Sequence, residues 1–322
     1  MKYPEFITEL MDETLTEFPD VPTRTLAKRI YNDNDKFFTD VEQVRSALRR
    51  RRGNSGKRNQ MKSDHKRKNG KAGWVPKLPP SQSKGWEPHV ITGPERIAVI
   101  SDIHLPYHCE KTLNKWYAEA QEYEPSMIII NGDLLDFYRM SRFEKDPNMR
   151  DTSFEIDQAH EFFEWLKEGF EADIIFKEGN HDERWRKYMY NQAPELSRFK
   201  QFELQEILEL EEFGVTFITD QRMILAGDLP ILHGHEFHGA GGQNPANAVA
   251  RKLGNSGLMG HCHRSSTYSV RNTMNRWIKA YSTGCMCELS PEFSRINNWN
   301  NGYAFVEIDS SGAFEVDNRI VN

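Results

Sequence analysis

The chain has 322 residues, 38% apolar and 28% charged, enough to fold around a core as one large domain or two unequal ones. No stretch approaches the ~18 apolar residues of a membrane span. Met1-Lys2-Tyr3-Pro4-Glu5 lacks the basic-then-apolar pattern of a secretion signal, so a cytoplasmic protein without a membrane partner is expected. The net charge of −6 hides an asymmetry. Between Arg45 and Lys71 stand 12 Lys/Arg against one acid, Asp64, while the rest of the chain holds 30 basic and 47 acidic residues. A basic segment beside an acidic body points to a polyanionic partner. The four cysteines, Cys109, Cys262, Cys285 and Cys287, suggest no disulfide framework and fit a reducing compartment. Cys285-Met286-Cys287 has the wrong spacing for a zinc knuckle and reads as a strand with one buried sulfur.

In chain order, residues 1–51 read as a small all-α domain. Ile7, Leu10, Met11 and Leu15 recur at helical spacing over Phe6–Phe18, and Leu26, Ile30 and Tyr31 follow an opening at Thr23. A third helix spans Asp40–Arg51, with Thr39 as its cap and Glu42 three residues on. It turns Val41, Val44 and Leu48 inward and Arg45, Arg49 and Arg50 outward. Three helices ending in a basic one have the outline of a helix-turn-helix module. Residues 52–90 read as a basic flexible linker, broken by Gly53, Gly56 and Gly70 and stiffened by Pro76, Pro79 and Pro80, with Trp74 and Trp86 as anchor points.

Residues 91–322 form the third region. Strand Ile97–Ile100, helix Glu110–Tyr123, strand Met127–Ile130, helix Ser153–Gly169, strand Asp173–Phe176 and helix Glu183–Tyr190 alternate, which means an α/β sheet with covered faces. Gln201–Leu210 reads as a short helix. Strands then follow at 215–218, 222–225, 230–233, 257–260, 266–270, 276–281, 302–308 and 313–320, interrupted by helix Pro245–Leu253. Five short apolar runs stop abruptly at Asp102-Ile103-His104, Asn131-Gly132-Asp133, Gly179-Asn180-His181-Asp182, His233-Gly234-His235 and Gly260-His261-Cys262-His263. Buried strands that end this way gather their side chains at the carboxyl edge of a sheet. Carboxylate, amide oxygen and imidazole without an obligatory thiolate suit Mn, Fe, Zn or Mg. An Asp shared by two such ions would make a centre that clamps both oxygens of an in-line displacement.

This series, in this order across residues 95–320, resembles the calcineurin-like metallophosphoesterases, particularly the compact stand-alone versions of bacteriophages and bacteria. The resemblance implies a four-layer α/β/β/α two-sheet sandwich in a bacterial or phage-infected cytoplasm. It implies two divalent ions, manganese first, with iron, zinc, magnesium, nickel or cobalt as alternatives. Asp102, His104 and His263 would hold one ion, Asn180, His233 and His261 the other, and Asp133 would bridge them. The activity implied is hydrolysis of phosphate esters by a hydroxide that the two metals activate. His181 would face the leaving group, with Asp182 orienting its imidazole; Asp182 also reads as the cap of the following helix, and both can hold together. Arg184 is a candidate phosphate contact through its planar fork, and Arg139 and Arg142 are weaker ones. Asp136, His235 and His238 are candidates to support the ligands. Gly239-Ala240-Gly241-Gly242 reads as a substrate-side loop, since it lacks the Lys-Ser/Thr of a phosphate cradle.

With the basic segment 45–71, a phosphodiesterase or nuclease on nucleic acid is the leading expectation. A phosphomonoesterase for nucleotides or phosphoproteins has the same chemistry. A non-catalytic nucleic-acid-binding protein with a structural metal site is the third reading, and the intact His181-Asp182 pair speaks against it.

Overall fold

The computed structural model describes residues 3–55, 79–142, 151–239, 243–291 and 294–321. Most of the expected basic linker, Trp74, and residues 240–242 of the expected glycine loop lie outside the described residues. The chain divides into two compact units, Met1–Lys84 and Gly85–Asn322.

In the first unit, α1 (Glu5–Glu17), α2 (Thr23–Asp33) and α3 (Val41–Arg51) enclose Ile7, Met11, Leu15, Leu26, Ile30, Val44 and Leu48. The i, i+4, i+8 spacing of Ile7, Met11 and Leu15 puts all three on one helix face. The cap of α3 is Asp40, not Thr39. Its carboxylate accepts the Gln43 amide at 2.8 Å, while the Gln43 side chain accepts from the Thr39 amide at 2.7 Å. A carboxylate one residue further on is the stronger acceptor for helix amides. Part of the basic run is spent internally. Arg52 is buried and donates to the carbonyls of Val21, Phe18 and Pro19. Arg51 pairs with Asp12, and Arg45, half-buried rather than outward, pairs with Glu42. Arg49 and Arg50 are exposed, as expected.

In the second unit the strands are β1 (His89–Ile91), β2 (Glu95–Ile100), β3 (Met127–Asn131), β4 (Asp173–Lys177) and β5 (Val215–Ile218). They continue with β6 (Ile224–Ala226), β7 (Leu229–Leu232), β8 (Gly257–Met259), β9 (Ser266–Arg271), β10 (Trp277–Ser282), β11 (Asn301–Ile308) and β12 (Phe314–Val321). The helices are α4 (Glu110–Tyr123), α5 (Thr152–Gly169), α6 (Glu183–Gln192), α7 (Leu204–Ile207) and α8 (Pro245–Leu253). One sheet runs β12-β11-β2-β3-β4-β5 and the other β1-β6-β7-β8-β10-β9. Strand β1 begins within the last two residues of the expected linker and pairs in parallel with β6. The expected helix 201–210 shrinks to α7 with a 3-10 turn before it.

Period two explains the layers. Ile97, Val99, Ile129 and Ile175 face Ile224, Ile231 and Leu258 of the other sheet. The alternate residues Ala98, Ile100, Ile128, Ile130, Ile174 and Phe176 pack on Leu113 and Trp116 of α4 and Phe163 and Leu166 of α5. Ala246, Val249 and Ala250 of α8 cover Met259 and Ala280 on the far side. The result is the expected α/β/β/α order. Each fully buried Ile of these rows contributes about 1.5–3 kcal/mol. Parallel pairing of β2, β3 and β4, and of β7 and β8, sends the ends of all five strands to edges where ligand loops can meet.

Candidate metal centre

The five strand ends converge. His104 Nε2 lies 3.2 Å from His263 Nε2 and 3.8 Å from Asp133 Oδ2. His233 Nε2 lies 3.3 Å from Asp133 Oδ2 and 3.2 Å from Asn180 Oδ1. His263 Nε2 is 3.3 Å from Asp102 Oδ1. Ligand-type atoms of Asp133, His233 and His261 lie within 4.8 Å of one another, as do those of His104, Asp133 and His181. All seven side chains expected to hold metal therefore meet around Asp133.

The outer atoms of these groups are fixed by other partners. His104 Nδ1–H donates to Asp136 Oδ1 at 3.1 Å, and His233 Nδ1–H donates to the Asn131 carbonyl at 2.7 Å. Each ring thus turns its Nε2 lone pair inward, which is the tautomer a metal requires. Asp102 Oδ2 accepts from Ser101 Oγ and the His261 amide, but its buried Oδ1 has no hydrogen-bond partner despite its proximity to His263. Facing imidazole nitrogens and an orphaned carboxylate oxygen are unfavourable unless a cation or protons lie between them. The donor set fits divalent ions on this ground.

Electrostatics agrees. Burial opposes charge on His233, yet Asp133 and Asp102 outweigh it and push its pKa up to about 10. His263, buried against Asp102, is likewise pushed up to about 10. Burial, with His233 nearby, pulls His261 down to about 4. Without metal, protons on the inward nitrogens of His233 and His263 would neutralise the carboxylates, so metal and protons compete for the same atoms.

The backbone is bent to this purpose. Asp102, His104, Asp133, His261 and His263 all have positive φ, between 52° and 64°. Each is costly for a residue with a Cβ and is held by its surroundings. Gly132 and Gly179 allow the close approach. A Cβ on Gly132 would stand 2.3 Å from His233 Nδ1, and one on Gly179 would stand 2.3 Å from the Asp133 amide nitrogen.

The carboxylate that orients His181 differs from the expected one. His181 Nδ1 lies 3.0 Å from Asp136 Oδ1, and Arg184 Nη2 donates to His181 Nε2 at 2.9 Å. Asp182 is turned away. Its oxygens accept the amides of Gly179 (2.8 Å), Asp133 (2.8 Å) and Leu135 (3.1 Å), and it makes no side-chain cap to α6. Burial and the Asp133 charge push its pKa up to about 7. Asp182 ties the loop of Asn180 to the loop of Asp133, because three inward amides there need an acceptor. Substituting Ala should lower the unfolding free energy by roughly 3 kcal/mol or more, at about 1 kcal/mol or more per stranded amide, as urea denaturation would measure.

Sequence reading missed a second brace. Lys177, the last residue of β4, is fully buried and pairs with Glu236 at 2.7 Å. Glu236 accepts the amides of His233 (3.2 Å) and Gly234 (2.6 Å), so the pair joins the strand end before Asn180 to the loop of His233. Lys177→Met should lower stability by about 3–5 kcal/mol, because Glu236 would be left buried and unpaired; thermal unfolding with and without Mn²⁺ would show it. Cys287 was also missed. Its Sγ lies 3.8 Å from His263 Nδ1, where a carboxylate or carbonyl more often stands, and Cys285 and Cys287 sit in a loop with two isolated bridges instead of a strand. Both sulfurs are buried. His235 meets Glu183 at 3.4 Å, His238 is exposed, and Arg139 and Arg142 are exposed.

The model of the calcineurin-like phosphoesterase family matches residues 95–263, more than half of the chain. The chain belongs to that family. The family uses divalent metals, and the clustered His and Asp residues of this phosphoesterase fit them. It is 27% identical over 267 residues to the Gene 54 protein of Mycobacterium phage L5, covering 70% of this chain and 98% of the relative. Among solved structures it is similar to Yfce, a phosphoesterase from E. coli, at 14% identity and a TM-score of 0.34, covering 70% of this chain and 97% of the other. It is also similar to wild-type Vps29 of Entamoeba histolytica complexed with zinc, at 13% identity and a TM-score of 0.36, covering 70% and 99%. No helix among the described residues is long and apolar enough to cross a membrane.

Proposed function

We propose that this phosphoesterase is a two-metal phosphodiesterase acting on nucleic acid. The observation that carries the phosphoester chemistry is the approach of both His104 and His233 to Asp133 Oδ2. Asp102, His104 and His263 would hold one ion, Asn180, His233 and His261 the second, with Asp133 between. Bound there, two divalent cations neutralise the phosphate oxygens and make water acidic enough to serve as nucleophile at neutral pH.

The chain's own groups do the rest. His181, its Nδ1–H held by Asp136, presents Nε2 toward the leaving oxygen. Arg184 holds that nitrogen when no anion is present, and a phosphate oxygen is the stronger acceptor for its guanidinium. Substrate entry would draw Arg184 to phosphate and free His181 Nε2 to take up a proton from solvent, which it would then pass to the leaving oxygen. Ser101, Asp136, Asp182 and Asn131 keep the donors aimed.

The nucleic-acid half of the reading is supported by the basic segment 45–71, reduced by the internal use of Arg45, Arg51 and Arg52. Assaying bis- and mono-p-nitrophenyl phosphate beside single- and double-stranded DNA with Mn²⁺ tests it. Turnover of monoesters with intact DNA would replace it by a phosphomonoesterase. Deleting residues 1–84 should leave small-ester hydrolysis within about twofold and remove a steep salt dependence of DNA binding. Six or more phosphate contacts would weaken the full chain by about 10³-fold between 50 and 200 mM salt. An unchanged salt slope after deletion would show that the N-terminal unit takes no part in binding.

A further inference from the structure

Above the metal donors lies a cavity of about 210 Å³. Trp299, Tyr107, Pro291 and Glu288 also line it, and phosphoryl chemistry does not account for them. The Trp299 ring centroid lies 4.2 Å from that of His263, the planes inclined at 58°. The indole is half-buried.

The loop that carries this ring is held in place. The Trp299 amide donates to Asn297 Oδ1 at 2.9 Å. Its neighbour Asn300 donates its amide to the His263 carbonyl at 2.9 Å, accepts the Ser265 amide at 2.8 Å and donates to Ser265 Oγ at 2.9 Å. The loop that carries the indole is therefore stitched to the turn that carries His263. A pre-positioned aromatic ring loses little freedom when a flat group stacks on it.

We infer that Trp299 stacks a nucleobase of the substrate, so that the site takes nucleotide esters with an unpaired base in preference to alkyl phosphates. This rests on the phosphoesterase reading above. Base stacking on an aromatic ring tolerates any base, because every base has a π-face. It also requires the base to leave its own stack, which favours single-stranded nucleic acid, ends and loops. The anionic Glu288 in the same cavity repels a second phosphate and leaves the space to the neutral part of the substrate. An aliphatic phosphoester offers nothing to fill it.

The test uses the full chain loaded with Mn²⁺ and two esters that share one leaving group, thymidine 5′-(p-nitrophenyl) phosphate and methyl p-nitrophenyl phosphate. Trp299→Leu should raise KM for the thymidine ester about tenfold, with KM for the methyl ester and the metal content unchanged. Calorimetric titration with thymidine 5′-monophosphate, which needs no turnover, should show the same tenfold weakening. Trp299→Phe should recover most of both. Equal effects on the two esters, with or without loss of metal, would mean that the ring serves only His263 and would overturn the inference. So would a variant that loses activity on a phosphotyrosine peptide and not on the thymidine ester. If the wild type hydrolyses neither ester, the phosphodiesterase reading fails, and the thymidine monophosphate titration still decides the role of Trp299.

Discussion

Asp133→Asn is expected to hold at most one divalent ion per chain and to lose about 10³-fold or more in kcat. The asparagine keeps an oxygen for the His181 amide, which now donates to Asp133 Oδ1 at 2.8 Å, so the loop should keep its path. What it loses is the anionic Oδ2 that lies between His104 and His233. Two-metal clamping supplies several kcal/mol of transition-state charge stabilisation, and each 1.4 kcal/mol is about tenfold in rate. Metal analysis after dialysis, beside steady-state hydrolysis of bis-p-nitrophenyl phosphate, reads both. A variant that keeps two ions and its rate would remove Asp133 from the centre of the site.

His181→Ala should behave differently. Both ions should stay, because Asp133 and the six donors around it are untouched. For an alkyl leaving group kcat should fall about 10²- to 10⁴-fold, the usual worth of a placed general acid. For p-nitrophenolate, which departs without a proton, the loss should be far smaller. Burial works against a charged His181, but Asp133 and Asp136 outweigh it and raise its pKa. In the metal-loaded enzyme cations on Asp133 would offset that support, so wild-type hydrolysis of alkyl esters should decline as pH rises through the pKa that His181 has with metal bound. That limb should vanish in His181→Ala. Equal losses on both leaving groups would assign His181 to holding metal, a role its proximity to His104 and Asp133 also permits.

The donors around Asp133 were legible because each follows a buried strand, where a polar side chain is rare enough to carry information. The layers were legible for the same reason, since β2, β3 and β4 are apolar on both faces. The partner of His181 was not. Asp182 is its neighbour in sequence and Asp136 lies 45 positions earlier, and only the path of the loops decides which carboxylate meets the ring and which meets the stranded amides. Lys177 was invisible because a lysine ending a strand ordinarily points to water; its anion lies 59 positions later, at Glu236. Strand β1 was hidden by shortness, three residues beginning with a histidine. Trp299 lies in an asparagine-rich stretch that reads as loop, and its position against His263 depends on side-chain bonds from Asn297 and Asn300.

The left-handed backbone at Asp102, His104, Asp133, His261 and His263 narrows any attempt to retune metal preference. A library built at these positions can afford aspartate, asparagine, histidine and glycine, which tolerate such torsions, whereas threonine, valine and isoleucine would distort the loops before any ion was offered. Cysteine substitutions aimed at softer ions meet the same obstacle. Variation at Asn180 or His233, which do not share this torsion, is the more promising route to a different metal.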